Sequence, residues 1–254
     1  MKNKFAMGGI FLITYLVFLI ATLPTTFVLN QISLPTNIKN AVQFSGVTGS
    51  IWQTDIAQMA VNGSRIEKVH AELSFWSLFS LTPKLTITFG DSFSAGPEGK
   101  AELLLSQDKA TVNDLKLFIK ASEVAQQLTL PLPVTAQGNV ELTVINADID
   151  LKNNNQCIAV KGDIAWSKAG VEAFNKNIKL DQLNADIGCE NGALTVIISP
   201  KNDLGLTFTA YVRQGGKVSG NGFLKPGAKF PAELNDALPF LGRKDNQGRY
   251  RLAF

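Results

Sequence analysis

Residue types that catalysis and nucleic-acid binding depend on are scarce in this sequence. It contains one histidine, two cysteines and a formal net charge of +3 over 254 residues. Lys2 and Lys4 supply two of these charges, so the rest of the chain carries about +1. A nearly neutral chain lacks the basic surface that attracts phosphate backbones, so nucleic acid is not an expected partner.

Motifs for catalysis or metal binding are also missing. The single histidine, His70, excludes an HExxH zinc site, and no GxSxG elbow accompanies it. It stands between Val69 and Ala71 in an alternating pattern, which predicts the solvent face of a strand. The glycines do not follow the strand–glycine–helix order of a phosphate-binding loop. Asp148 and Asp150 lack the partners of a calcium loop. We therefore expect no enzyme, no cofactor and no metal.

Charge is absent from a long N-terminal stretch, since no Asp, Glu, Lys, Arg or His occurs between Phe5 and Ile38. The apolar run from Phe5 to Leu23 meets the need for about 20 helical residues across a bilayer core about 30 Å thick. A cleaved signal peptide is the alternative. It is disfavoured because the run is longer than usual for such peptides and ends without a small-x-small cleavage site.

Positive charge stays on the cytoplasmic side of a membrane, which sets the orientation. The sequence thus predicts a cytoplasmic tail at 1–4, a transmembrane anchor at 5–29 and a periplasmic domain at 30–254, in the cell inner membrane as a single-pass protein. Cys157 and Cys189 are not in a CxxC pattern, and export favours a disulfide between them. Two buried free thiols are the alternative.

Beyond residue 40, period-2 alternation predicts antiparallel strands with one buried face. It is clearest in Lys84–Phe89, Val140–Ile149, Leu180–Ile187 and Leu204–Val212. Tight-turn signals occur at Asn62-Gly63, Asn191-Gly192 and Gly215-Gly216. Short helices are predicted at 121–128 and 231–238. The fold class is mainly β: an N-terminal transmembrane helix, then an extended, twisted antiparallel sheet.

An internal repeat indicates that the sheet consists of two similar units, about 44–145 and 158–254, joined edge to edge. Trp52 and Trp166 each precede, by the same spacing, a matching series of four apolar residues. Four kinds of landmark recur 108 to 114 positions apart. They are the tryptophans, the glycines that precede them, the prolines and the glycines of the Gln-Gly pairs: Trp52 and Trp166, Gly49 and Gly162, Pro131 and Pro239, Gly138 and Gly248. Equal positions favour a shared structural role for the tryptophans, in a core or groove wall.

One connection carries four large apolar residues within five positions: Phe75, Trp76, Leu78 and Phe79. Two interpretations remain open. The segment could be a lid over the sheet, which is the favoured interpretation. It could instead form a patch that faces a membrane or a partner.

The anchor, the segment from Gly46 to Trp52 (GVTGSIW), Leu73–Trp76 (LSFW) and the C-terminal LPFLG and GRYRL segments resemble the general secretion pathway protein N family, the N component of type II secretion systems. The resemblance covers essentially the whole chain. It implies an inner-membrane protein that assists export of folded periplasmic proteins across the outer membrane through an outer-membrane secretin. The implied partners are the inner-membrane platform and the secretin.

A weaker similarity, to AsmA-like periplasmic proteins, implies an apolar groove that binds or transfers lipid or acyl chains. Neither resemblance brings catalytic residues. The sequence thus leaves two functions, a protein–protein contact role in type II secretion and, as the alternative, a lipid-binding module.

Overall fold

The computed structural model describes residues 2–31, 42–61, 64–91, 96–126, 135–153, 155–173, 176–213 and 217–253. Over these residues the protein is mainly β, with antiparallel strands and a few short helices. The chain divides into two compact units, Met1–Ala95 and Gly96–Phe254. This division differs from the expected repeat boundaries, and the repeat remains a prediction.

In the part of the first unit that the structure describes, two helices precede a four-stranded antiparallel sheet whose strands pair in sequence order. Its elements are α1 (Lys2–Ala21), α2 (Thr25–Gln31), β1 (Val42–Ser50), β2 (Gln53–Val61), β3 (Ser64–Leu73), a 3₁₀ turn (Trp76–Leu78) and β4 (Lys84–Phe89). The bounds of β4 are those predicted from its alternation. Among the described residues, no helix combines the length and the apolarity that crossing a bilayer requires.

The described residues of the second unit form an antiparallel sheet of nine strands, each paired with its neighbour in sequence. The strands are β5 (Glu98–Leu105), β6 (Lys109–Lys120), β7 (Thr135–Asp150), β8 (Gln156–Ala173), β9 (Lys176–Glu190), β10 (Ala193–Ile198), β11 (Leu206–Val212), β12 (Val218–Leu224) and β13 (Tyr250–Ala253). Helix α3 (Ala121–Gln126) follows β6, and a 3₁₀ segment (Ala232–Leu241) precedes β13.

Most local predictions for the second unit are confirmed. Val140–Ile149 and Leu180–Ile187 lie within β7 and β9, and Leu204–Val212 overlaps β11, which begins at Leu206. The helix predicted at 121–128 is α3 as far as residue 126, and 127–128 lie outside the described residues. The segment predicted as a helix at 231–238 is a 3₁₀ segment. The turn between β9 and β10 is confirmed at Asn191 and Gly192, whose φ angles of 50° and 77° suit a tight hairpin. Asn62-Gly63, Gly215-Gly216 and Pro131 lie outside the described residues.

The core of the second unit lies on one face of β8 and β9. Ala169, Ile178 and Leu180 are almost fully buried there. The partly buried residues that pack against them come from β8, β9, the loop before β11 and the 3₁₀ segment: Trp166, Val171, Leu183, Leu204 and Leu234. The 3₁₀ segment is therefore held to the sheet by apolar contact through Leu234.

Candidate functional site: helix–sheet junction and aromatic patch

Backbone and side-chain hydrogen bonds connect the helices of the first unit to its sheet. The Thr25 and Thr54 hydroxyls are 2.7 Å apart, and these residues are only 9% and 7% exposed. Thr54 Oγ1 also donates to the Ser50 carbonyl at 3.0 Å. Since that bond uses the only hydroxyl proton of Thr54, Thr25 is the donor between the two threonines. We call this region the junction: 20–25 together with 50–54.

The indole of Trp52 extends the junction to the end of α1. Its Nε1 donates to the Ile20 carbonyl at 3.1 Å, and the Ile51 amide donates to the Leu23 carbonyl at 3.1 Å. The last four carbonyls of a helix have no partner within the helix. Trp52 thus supplies a donor to one of the final carbonyls of α1 and fixes its end against the β1–β2 turn.

A cluster of aromatic rings continues from Trp52 onto the connection between β3 and β4. The Trp52 and Phe75 rings lie edge to face with centroids 5.1 Å apart. Phe75 in turn contacts Trp76 at 5.7 Å and Phe79 at 5.5 Å. Such geometries are favourable for aromatic pairs. We call Phe75, Trp76, Phe79 and the neighbouring Leu78 and Leu81 the aromatic patch.

The outer members of the aromatic patch face solvent. Trp76, Phe79 and Leu81 are 78%, 72% and 81% exposed. A lid over the sheet would bury its large apolar side chains, whereas these three remain open. This arrangement fits the second interpretation of the segment, a surface that faces a membrane or a partner.

The repeat landmarks occupy different surroundings. Trp166 packs against the core of the second unit, and its Nε1 donates to the Gln137 carbonyl at 2.8 Å. Gly138 has a φ of 92°, and a Cβ there would lie 2.4 Å from the Ser167 and Lys168 carbonyl oxygens. Glycine at this bulge therefore allows β7 to present the carbonyl that Trp166 uses.

The remaining landmarks lie in turns, strands and the 3₁₀ segment. Gly49 has a φ of 93° near the end of β1, and Gly248 has a φ of 75° in the turn before β13. Gly162 lies within β8, and Pro239 lies inside the 3₁₀ segment. Trp52 and Trp166 thus each donate an indole N–H to a backbone carbonyl. Trp52 does so at the junction, and Trp166 does so beside the core of the second unit.

An apolar cavity of about 370 Å³ lies in the second unit, between the 3₁₀ segment and the sheet. Every side chain that lines it is apolar: Leu204, Leu224, Phe230, Leu234, Ala237, Leu238, Phe240 and Leu241. Such a lining offers no polar side chain to orient a substrate.

His70 has acidic partners that sequence analysis missed. Its Nδ1 lies 2.7 Å from Asp55 Oδ1, and its Nε2 lies 3.1 Å from Glu72 Oε1. The hydrogen bond to Asp55, followed by that to Glu72, raises the pKa of His70 above its usual 6.5. The signal was available, because the sequence predicts a two-residue turn at Asn62-Gly63, and such a turn would place Asp55 opposite His70, as β2 and β3 pair.

The described residues contain no group of three or more His, Cys, Asp or Glu side chains arranged to hold a metal ion.

Comparison with known proteins decides the family. Residues 40–253 match the family described as type II secretion system (T2SS), protein N. The chain belongs to the type II secretion system protein N family. Relatives with that name include those of Aeromonas hydrophila (27% identical, covering 100% of this chain and 98% of the relative) and Vibrio cholerae serotype O1 (25%, covering 98% and 97%). A third relative, from Klebsiella pneumoniae, is 27% identical, and the match covers 98% of this chain and 94% of the relative. No solved structure matches the chain.

The C-terminal segment that carries the resemblance to the protein N family is ordered by one aspartate. The Asp245 carboxylate accepts backbone N–H bonds from Gln247 and Arg249, each at 2.9 Å. The bond from the Arg249 amide is the largest cause of the lowered pKa of Asp245. The Arg249 guanidinium lies 3.9 Å from the centre of the Phe223 ring, so this turn is attached to β12.

In this member of the protein N family, Cys157 and Cys189 form a disulfide. Their Cα atoms are 5.7 Å apart, within the normal range for such a bond. The bond connects the start of β8 to the end of β9, next to the Asn191-Gly192 turn.

Proposed function

We propose that this chain is a single-span inner-membrane component of a type II secretion system, with its N-terminus in the cytoplasm and its sheets in the periplasm. It assists the export of folded periplasmic proteins by binding other components of the system. The inner-membrane platform is the first candidate partner and the outer-membrane secretin the second.

The observation that carries the membrane part of this proposal is the surface of α1. Apolar side chains are exposed at positions 10–13 and 15–20 without interruption. Successive helical residues point about 100° apart, so these side chains cover every side of the helix. A helix that is apolar all round belongs either in a protein core or in a membrane. Since the protein does not bury these side chains, lipid is the environment that fits them. The proposed anchor, 5–29, takes in α1 from Phe5 onward and most of α2, and its continuous exposed apolar surface ends at Ile20 in α1.

The disulfide supports a periplasmic place for the second unit, because such bonds persist in oxidising compartments. Contact, and not catalysis, is the mode of action that the described surface favours. Among the described residues, β13 pairs with β12 alone. An edge strand presents backbone donors and acceptors that a partner strand can complete. Arg251 and Ala253 are the exposed residues of this strand.

In vivo photocrosslinking tests the contact directly. A benzophenone amino acid replaces Arg251 at the β13 edge, and a matched control replaces Asn191, which is exposed in the β9–β10 turn. We expect crosslinks to another type II secretion component from position 251 and few from position 191. Equal crosslinking from both positions, or none in cells whose secretion is active, contradicts binding through this edge.

A second function, binding of a lipid acyl chain, is favoured by the cavity beneath the 3₁₀ segment. Leu234 and Leu238 lie in its wall, and the lining is entirely apolar. Native mass spectrometry of protein extracted in mild detergent tests this function. Lipid that is retained by the unaltered protein and lost on Leu238→Gln supports it, and a lipid-free mass for the unaltered protein contradicts it.

A further inference from the structure

The aromatic patch belongs to a stretch that carries no charge. The segment from Ser74 to Pro83 reads SFWSLFSLTP and contains neither an acidic nor a basic residue. Trp76, Phe79 and Leu81 project from it and are among the most exposed large apolar side chains outside α1. Three such neighbours form a continuous apolar surface, which in a folded protein marks an interaction site.

Several polar atoms of this stretch have partners within the stretch itself. Ser77 Oγ donates to the Ser74 carbonyl at 2.5 Å, and Ser80 Oγ donates to the Ser77 carbonyl at 2.7 Å. The amides of Ser77, Leu78, Phe79 and Leu81 each donate to a carbonyl three residues earlier. Removing a polar group from water costs little only when it is already hydrogen-bonded. These hydrogen bonds lower the cost of moving the turn into an apolar medium.

The position of the patch relative to α1 identifies that medium. One residue, Trp52, separates the patch from the helix end, with its Nε1 on the Ile20 carbonyl and its ring against Phe75. If α1 spans the membrane, Ile20 lies where the helix leaves the hydrocarbon. The Phe75 ring, which contacts Trp52, then lies near the same depth, and so do Trp76 and Phe79 beside it, in the layer where tryptophan is enriched in membrane proteins.

We propose that the aromatic patch inserts into the interfacial layer of the bilayer leaflet in which α1 ends, as a second membrane contact of the first unit. This inference rests on the proposed membrane span. A lipid surface is favoured over a protein partner for two reasons. The patch lies close to the end of α1, and the hydroxyls of Ser77 and Ser80 are already hydrogen-bonded within the turn. With membrane contacts both at the helix end and at the patch, the tilt of the β1–β4 sheet relative to the membrane is fixed. A single membrane contact would leave that tilt free.

Quenching by brominated lipids tests the insertion on the full chain. One reporter keeps Trp76 and carries Trp52→Phe and Trp166→Phe. A second reports on the helix and carries Tyr15→Trp with all three native tryptophans replaced by Phe. Both are reconstituted into phosphatidylcholine and phosphatidylglycerol vesicles, with bromine either near the carbonyl end or near the middle of the acyl chain.

We expect Trp76 to lose about half of its emission with shallow bromine and less with deep bromine, as a ring in the interfacial layer would. The reporter at position 15 should be quenched by bromine as well. If that reporter is quenched while Trp76 responds only to aqueous acrylamide, the span stands and the patch inference is wrong. If a co-purifying protein shields Trp76 from both quenchers, the patch inference is likewise wrong. If neither responds to bromine, the span itself is wrong and the inference fails with it.

Because Trp52→Phe removes the bond to Ile20, a second measurement leaves the native tryptophans in place. The chain is labelled with 5-fluorotryptophan, and the Trp76 resonance is assigned by its loss in Trp76→Phe. Broadening of this resonance by lipids with a nitroxide in the headgroup supports insertion. A Trp76 resonance that these lipids leave unchanged overturns it.

Discussion

Replacing Thr54 by valine removes the hydroxyl at the centre of the junction between α2 and β2. That hydroxyl accepts from Thr25 and donates to the Ser50 carbonyl, in a place where both threonines are buried. The variant leaves the Thr25 donor without a partner, which costs about 1–3 kcal/mol. It also loses the bond to Ser50, about 1 kcal/mol net. We therefore expect the free energy of unfolding to fall by about 2–4 kcal/mol.

Thr25→Val should cost less, about 0.5–1.5 kcal/mol, because Thr54 keeps its bond to Ser50 and only an acceptor loses its partner. The double variant Thr25→Val with Thr54→Val leaves no buried hydroxyl without a partner. It should therefore be more stable than Thr54→Val alone, although it carries one more substitution. A double variant that is more stable than Thr54→Val indicates the loss of a buried hydrogen bond. A simple loss of packing would make the double variant the less stable of the two.

Urea titration of the detergent-solubilised full chain measures these differences, with tryptophan fluorescence as the probe. Thr48→Val, at an exposed position on β1, is the matched control and should change stability by less than about 0.5 kcal/mol. Hydrogen exchange at the Ile51 amide, which donates to the Leu23 carbonyl, places the effect at the junction. Additive costs in the double variant would refute the reasoning.

Three further predictions concern the rest of the fold. Serine at both Cys157 and Cys189, 32 residues apart, should lower the free energy of unfolding by about 4 kcal/mol in urea, and a loss below about 1 kcal/mol would contradict a stabilising bond. Ile178→Ala should cost about 2–5 kcal/mol, because this side chain is 2% exposed, and an unchanged midpoint would place it outside the core. NMR titration should give His70 a pKa above 6.5, and Asp55→Asn should lower it; no change in that variant would exclude the hydrogen bond as the cause. The stabilisation from His70 should be full below pH 6.5 and lost as the pH rises through its raised pKa.

Strand patterns could be predicted because the period-2 signal is local. The bounds of β4 follow from Leu85, Ile87 and Phe89, which alternate with polar neighbours along the strand. The register of β2 against β3 could also be predicted, since a two-residue turn at Asn62-Gly63, which the sequence predicts, would determine which residues oppose each other. Asp55 could have been assigned to His70 on that basis.

The junction could not be predicted, because its contacts join residues that are distant in sequence. Trp52 donates to a carbonyl 32 residues earlier, and Thr25 bonds a hydroxyl 29 residues later. No periodic pattern encodes such pairs; they depend on how the chain turns after α1. The patch was identified by composition alone, and its exposure depends on a 3₁₀ turn that leaves Trp76 and Phe79 uncovered.

Protease accessibility in spheroplasts tests the membrane topology most directly. The full chain, detected by an epitope at its C-terminus, is followed in intact spheroplasts and in carbonate-washed membranes. The account predicts that it stays with the membranes after carbonate and that protease added outside removes the epitope without lysis. A chain that carbonate releases, or an epitope that survives until the spheroplasts are lysed, would contradict it.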